Sequence, residues 1–258
     1  MRSHLWIVIA AAVLGASAPA AVAAPAKPTI VLVHGAFADA SSWNGVIADL
    51  QRDGYTVVAA ANPLRGVVSD ASYVASVVKS VQGPVVLVGH SYGGAVISQA
   101  GASPGNVKAL VYVDAFALDA GESIGELGAK FPQVPLGGAL KPAPLPDGGQ
   151  DLYVRPDQFG IVFAPDVPPA SVKLAAAEQR PISAAAFGEK PTAAAWRTIP
   201  AWFIYGSADQ AIHPTELAFF AERAKSRKTV VVPGGSHVTL ISHPHEVAAL
   251  IEDAANGS

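Results

Sequence analysis

Short β-branched runs recur along this chain with helix-length apolar stripes between them, and that alternation limits the fold more than any other feature. Thr29–Val33 (TIVLV) is continuous and apolar, as in a strand buried on both faces. Trp43, Val46, Ile47 and Leu50 follow at helical spacing, with Gly54 as a stop signal. Tyr55–Ala59 reads as the next strand. Val74, Val77, Val78 and Val81 make a second helical stripe, with Ser69 and Asp70 as N-cap candidates. Val85–Val88 and Val107–Val113 read as the third and fourth strands, on either side of a small-residue helix at Ala95–Ala100. After an interruption the pattern resumes with a strand at Ala201–Tyr205, a helix at Thr215–Lys225, a strand at Thr229–Val232 and a helix at Pro244–Ala255. This order predicts one α/β domain with a six-stranded, mostly parallel sheet and helices on both faces.

The interruption is rich in proline. Twelve of the 21 prolines fall between Phe116 and Pro200. Proline fixes φ and removes a backbone donor, so central strands and long helices are not expected across Phe131–Pro169. Ser171–Gln179 is the one helical stretch. The segment, about 116–198, reads as a cap inserted over the carboxyl edge of the sheet, where wound sheets bind their ligands.

Residues 1–24 read as a secretory signal peptide. Arg2 gives the positive start, Leu5–Leu14 is unbroken apolar sequence, and Ala21-Val22-Ala23 or Val22-Ala23-Ala24 supplies a small-residue cleavage pattern. Ten apolar residues are short for ~30 Å of hydrocarbon, so no stable membrane insertion is expected after cleavage. The expected mature domain is 25–258, secreted or periplasmic. Only Pro25–Pro28 precedes the first strand, which leaves no room for an additional amino-terminal hairpin.

Composition removes several classes of function. With 51% apolar and 14% charged residues the chain is not disordered. Having no cysteine, it has no disulfide, thiolate nucleophile or cysteine metal site. A net charge of −3 gives no electrostatic reason to expect nucleic acid or an anionic membrane as partner. The sequence carries no signal of oligomeric state.

The sharpest local pattern is Gly89-His90-Ser91-Tyr92-Gly93, lying directly between a strand and a helix. That is a G-x-S-x-G turn in the context where it lifts a serine above the sheet edge, with a helix N-terminus beneath it to favour developing negative charge. Such a serine needs a base. Of the seven histidines, His237 follows the last strand in a Gly-rich loop at the same edge. His34 reads as a packed, hydrogen-bonded histidine, and His213, His243 and His245 as solvent-facing or helix-start residues. His243-x-His245 lacks the further ligands a metal site requires. Asp209, after the strand Ala201–Tyr205, reads as the acid that orients the base, which gives the chain order Ser91, Asp209, His237. Asp114 ends the fourth strand and is the rival acid; otherwise it would start the cap and stabilise its backbone. The backbone N–H groups of Ala36 and Tyr92 are the expected oxyanion donors. Phe37, Tyr92 and Phe116 are candidates for the pocket wall. No cofactor or metal is called for.

Val-Leu-Val-His-Gly-Ala (31–36), Gly-His-Ser-Tyr-Gly-Gly (89–94), the Asp209 segment and Gly-Ser-His (235–237) make the chain resemble the α/β-hydrolase superfamily. Within it the likeness is to the small cofactor-free branch of plant methylesterases and hydroxynitrile lyases. The resemblance implies a serine nucleophile, an aspartate, a histidine base and a mobile cap. Lyases of that branch carry Thr after the first-strand His and Lys after the catalytic His. Here those places hold Gly35 and Val238, which favours esterase over lyase chemistry. The expected activity is hydrolysis of a carboxylic ester of a small, mainly apolar molecule through an acyl-enzyme. A lactonase, thioesterase or amidase using the same three residues, and a non-catalytic ligand-binding protein on the same fold, stay open as alternatives. A dinucleotide-binding fold is disfavoured because HGAFADA lacks the G-x-G-x-x-G pattern after the first strand.

Overall fold

The structure is a computed structural model that describes residues 27–146 and 148–257. The signal peptide expected over 1–24, and most of the stretch expected to lack a hairpin before Thr29, lie outside the described residues. The first half of the chain runs β1 (Thr29–Val33), α1 (Asn44–Arg52), β2 (Val57–Ala60), α2 (Val67–Ser80), β3 (Val85–His90), α3 (Tyr92–Ala100) and β4 (Val107–Val113). An insert follows, with α4 (Ile124–Gly128), α5 (Leu136–Ala139), β5 (Leu140–Pro144), β6 (Gln150–Val154), α6 (Pro156–Gln158), α7 (Pro169–Glu178) and β7 (Ile182–Ser183). The last part holds β8 (Ala201–Gly206), α8 (Pro214–Arg223), β9 (Thr229–Val232), α9 (Thr239–Ser242) and α10 (Pro244–Asn256).

Six strands form one sheet in the order β2-β1-β3-β4-β8-β9, and every neighbouring pair is parallel. The continuous apolar runs explain the burial. Ile30–Val33, Val85–Val88 and Leu110–Val113 are wholly enclosed, as strands covered on both faces must be. The helices flank this layer, α1 packed on α10 and α2 on α3. Parallel register brings the carboxyl ends of β3, β4, β8 and β9 to one edge, and the loops leaving that edge carry Ser91, Asp114, Asp209 and His237.

Two local expectations need correction. Helix α2 starts at Val67, with Gly66 at its N-cap, so Ser69 and Asp70 lie inside the first turn. Asp70 caps from within: its buried carboxylate accepts the N–H groups of Arg65 (3.1 Å) and Gly66 (3.4 Å) and the Tyr92 hydroxyl (2.8 Å). The proline-rich insert also does contain strands. β5, β6 and β7 make a separate antiparallel sheet, with Pro142 and Pro144 on the outer strand β5 and the proline-free β6 in the middle. The missing donors of those prolines fall where one side of the strand needs no partner.

The insert stands on the loops after β1 and β2. Phe37 N–H donates to the Arg180 carbonyl (3.0 Å), Ser183 N–H to that of Leu64 (3.0 Å), and Arg65 bridges Asp151 (2.7 Å) and the Pro181 carbonyl (3.0 Å).

Candidate active site

Ser91 is the residue between β3 and α3, and its φ of 52° and ψ of −122° lie in a region that costs an L-residue about 1–3 kcal/mol. The surrounding bonds hold it there. Its N–H donates to the Val113 carbonyl (3.1 Å), and its own carbonyl accepts Gly94 N–H (2.9 Å) and Phe116 N–H (3.3 Å). Gly35 fits against it only because it lacks a side chain, since a Cβ there would lie 2.6 Å from the Ser91 Cβ.

Three of the sequence candidates meet. Ser91 Oγ lies 2.8 Å from His237 Nε2, and His237 Nδ1 lies 2.7 Å from Asp209 Oδ2. Because a carboxylate only accepts, Nδ1 carries the proton and Nε2 is left to accept from the serine hydroxyl. Asp209 Oδ1 accepts the N–H groups of Ala211 (2.7 Å) and Ile212 (2.9 Å), which fixes its orientation. Burial by itself would lower the His237 pKa, but the adjacent Asp209 charge and hydrogen bond outweigh it and raise the value above 6.5. The alignment can move a proton from the serine to the imidazole while a fixed negative charge stabilises the cation that forms.

Asp114 lies in the same cluster but its carboxylate is committed elsewhere. It is fully buried and has φ 46°. Oδ1 accepts Gly206 N–H (2.9 Å), and Oδ2 accepts Thr239 N–H (2.9 Å) and the Thr239 hydroxyl (2.6 Å). It thus ties the β8 end, ahead of Asp209, to the residue two beyond His237. The expectation that it stabilises the cap backbone is corrected: its partners are Gly206, which ends β8, and Thr239, which begins α9, and neither belongs to the insert. Burial, and then the Asp209 charge, push its pKa up to about 7. On α8, Glu216 is pushed up to about 7 by the same two causes, with Arg223 opposing.

The N–H groups of Ala36 and Tyr92 have no hydrogen-bond partner among the described residues. The N–H of Phe37, the residue after Ala36, is already used by the Arg180 carbonyl. Phe37 lines a cavity of about 370 Å³ together with His90, Phe163, Leu174 and Val238; Ser91 and His237 themselves do not border it, and His90 and Val238, next to them in the chain, are its nearest links to them. Tyr92 and Phe116 do not border it. The Tyr92 hydroxyl is spent on Asp70, and the Phe116 ring packs edge-on against Phe220 at 6.1 Å.

The other histidines are structural in placement. His34 Nδ1 donates to the Gly35 carbonyl (2.9 Å) and Nε2 accepts Asn62 N–H (3.2 Å). His90 Nε2 donates to the His237 carbonyl (2.9 Å), so a second imidazole braces the first through its backbone. Burial, then the nearby His237, hold the His90 pKa well below the usual histidine range. The His213 ring caps α8, His243 precedes α10 with its ring on the Ser242 hydroxyl (2.8 Å), and His245 pairs with Asp49 (2.5 Å). Among the described residues no three His, Cys, Asp or Glu side chains gather as metal ligands, and no helix is long and apolar enough to cross a membrane.

Sequence reasoning missed two contributors. Gly206 lies against Gly235 and Ser236 so closely that a Cβ would run into both carbonyls. Asp166, within the insert, accepts Ser236 N–H (2.9 Å). A lone Asp among prolines carries no spacing signal, so no local pattern pointed to it.

A model of the Alpha/beta hydrolase family matches residues 30–250. An alpha/beta hydrolase of Aspergillus novofumigatus (strain IBT 16806) is 24% identical over 251 residues, covering 89% of this chain and 97% of its own. The crystal structure of polyneuridine aldehyde esterase is similar at a TM-score of 0.77 and 20% identity, over 88% of this chain and 99% of that one. A methylesterase from Arabidopsis is similar at a TM-score of 0.75 and 17% identity, over 90% of this chain and 100% of its own. At those identities the two structures speak for the fold alone. The family match runs from β1 into α10 and takes in Ser91, Asp209 and His237, and on its extent the chain belongs to the alpha/beta hydrolase family.

Proposed function

We propose that the protein is a serine hydrolase cleaving a carboxylic ester of a small, mainly apolar molecule. The observation that carries this reading is the buried line from Ser91 Oγ through His237 to Asp209, with spacings of 2.8 and 2.7 Å. His237 Nε2 takes the Ser91 proton as Oγ adds to the ester carbonyl carbon. The resulting oxyanion accepts from the Ala36 and Tyr92 N–H groups. As the tetrahedral intermediate collapses, the carbon–alkoxy oxygen bond breaks and the imidazolium gives its proton to the departing alcohol. His237 then activates water, which adds to the acyl-enzyme and releases the carboxylic acid and free Ser91.

Hydrolytic chemistry is supported by family membership, and an ester substrate by relatives described as an esterase and a methylesterase. The cavity wall mixes apolar Phe37, Phe159 and Val238 with polar Ser41, Asn44 and Glu178, and its apolar part supports an apolar acyl or alcohol group. The segment 116–198 serves as the cap, and export through residues 1–24 places the enzyme outside the cytoplasm. The test is turnover of p-nitrophenyl esters of graded acyl length, beside a lactone, a thioester and an amide, by the wild type and Ser91→Ala. Ester hydrolysis that is lost in the variant and unchanged by a chelator is the expected result. Equal turnover in both proteins would overturn the reading.

A further inference from the structure

The loop carrying His237 is held almost entirely from the sheet side. Gly234 N–H donates to Ser207 Oγ (2.8 Å), Gly235 N–H to the Val232 carbonyl (3.1 Å) and Thr239 N–H to Asp114 (2.9 Å). The His237 carbonyl accepts from His90 (2.9 Å). Ser236 N–H, immediately before the base, goes instead to Asp166 Oδ2 of the insert (2.9 Å). Ser236 is buried, so that donor cannot turn to water unless the loop moves.

The same part of the insert touches the imidazole itself. The Phe163 ring lies 5.1 Å from the His237 ring at 63°, and is backed by Phe37 at 6.0 Å and Phe159 at 4.9 Å. Phe159–Phe163 is a π-helical turn, closed by the bond from Ala164 N–H to the Phe159 carbonyl (3.1 Å). One extra residue in a turn rotates everything after it by about 100° relative to an α-helix. Turns of this kind occur mostly at functional sites. Here the turn delivers Phe163, and three residues later Asp166, to the histidine loop.

We infer that Asp166 and Phe163 are positioning residues for His237, so that the insert and not the sheet completes the alignment of the base. Asp166 fixes the backbone ahead of the imidazole through a charge-assisted bond, and Phe163 limits the tilt of the ring. Displacing this part of the insert removes both restraints together, and the Ser91–His237 pair is competent only with the insert seated. The inference rests on the ester-hydrolase reading and adds to it the requirement that the insert act on rate as well as on access.

The test is steady-state hydrolysis of p-nitrophenyl acetate by full-length wild type, Asp166→Ala, Asp166→Asn, Phe163→Leu and Ser91→Ala, with the Tm of each. Misplacement of a base costs rate more than binding, so Asp166→Ala should lower kcat about tenfold with KM changed less than about twofold. Asp166→Asn keeps an acceptor and should recover most of the loss. A structural anchor alone would lower Tm in both variants and leave kcat at the wild-type level, which would overturn the inference, as would an Asn variant no better than Ala. Should the Ala variant not fold, Phe163→Leu carries the test: a fall in kcat greater than any change in KM supports the inference and an unchanged kcat overturns it. A wild type that does not hydrolyse the ester, or a Ser91→Ala variant that does so equally well, brings down the ester-hydrolase reading and this inference with it. An active wild type beside an unaffected Asp166→Ala brings down this inference alone.

Discussion

Two buried aspartates end parallel strands beside one histidine, and their hydrogen-bond partners divide the work between them. Asp209 spends one oxygen on the amides of residues 211 and 212 and turns the other to His237. Asp114 spends both oxygens on Gly206 and Thr239. Asp209→Asn presents an amide where the imidazole N–H must donate and favours the wrong tautomer, so kcat should fall on the order of 10⁴-fold, the loss seen for this change in a serine protease, with the fold retained. Asp114→Asn sets an N–H against either Gly206 or Thr239, a mismatch of about 1–3 kcal/mol that should lower Tm more than it harms turnover. A pH–rate profile separates the two further. His237 must be neutral to accept a proton, so kcat/KM rises with pH through its pKa, and the Asp209 charge puts that midpoint above 6.5 in the wild type. The midpoint should move down in Asp209→Asn and stay nearer the wild-type value in Asp114→Asn; the opposite pattern would make Asp114 the orienting acid. Ser91, His237 and Asp209 were legible in the sequence because each follows a strand and so must lie at one edge. The commitments of Asp114 were not, since its partners Gly206 and Thr239 lie far along the chain and no local pattern announces them.

At the level of elements, legibility followed burial. The six parallel strands are built on apolar runs, interrupted in β4 by Lys108, and their expected bounds agree with the observed ones to within two residues. The insert's strands were hidden because β5 carries two prolines and β6 is five residues that open with Gln150 and Asp151, so neither has the pattern of a strand covered on both faces. Cross-element contacts were equally silent. Gly206 ends β8, and at its Cβ position the carbonyls of residues 235 and 236 come too close for any side chain. That contact sets the distance between the loop with Asp209 and the loop with His237. Gly206→Ala must push them apart, at about 1–3 kcal/mol for overpacking. Thermal unfolding should register the loss, and kcat should fall with it as the 2.7 Å His237–Asp209 bond opens. Gly137→Ala is the control, because a Cβ there meets nothing within 4 Å. Equal stability of the two variants would mean that the β8 and β9 loops adapt without cost.

Across the whole molecule, stability is divided unevenly between the sheet and the insert. Every residue of β3 is buried, whereas α7 buries none. Both sides of α7 are undercut. Ser171, Leu174 and Ala175 border the 370 Å³ cavity, and Pro169, Val172 and Ala176 border a second of about 490 Å³. Leu174 remains 63% exposed, so even the largest apolar side chain of the helix contributes little burial. At its carboxyl end, Gln179 is tied to both the N–H and the carbonyl of Val154 (2.9 and 3.0 Å), whereas along the helix body Val172, Ala175 and Ala176 pack against the core only in part. Segments with few buried apolar contacts open at a small fraction of the global unfolding free energy. Hydrogen exchange followed by mass spectrometry should therefore find the amides of 172–178 exchanging orders of magnitude faster than those of 85–90. Exchange at 159–166, where the π-turn and Asp166 grip the histidine loop, should fall between the two. Such a gradient would let α7 open the cavity to a ligand while the base stays aligned, so that entry and alignment belong to different parts of one insert. Uniform exchange across 159–178 would mean instead that the insert moves as a block, and that the base is released each time the cavity opens.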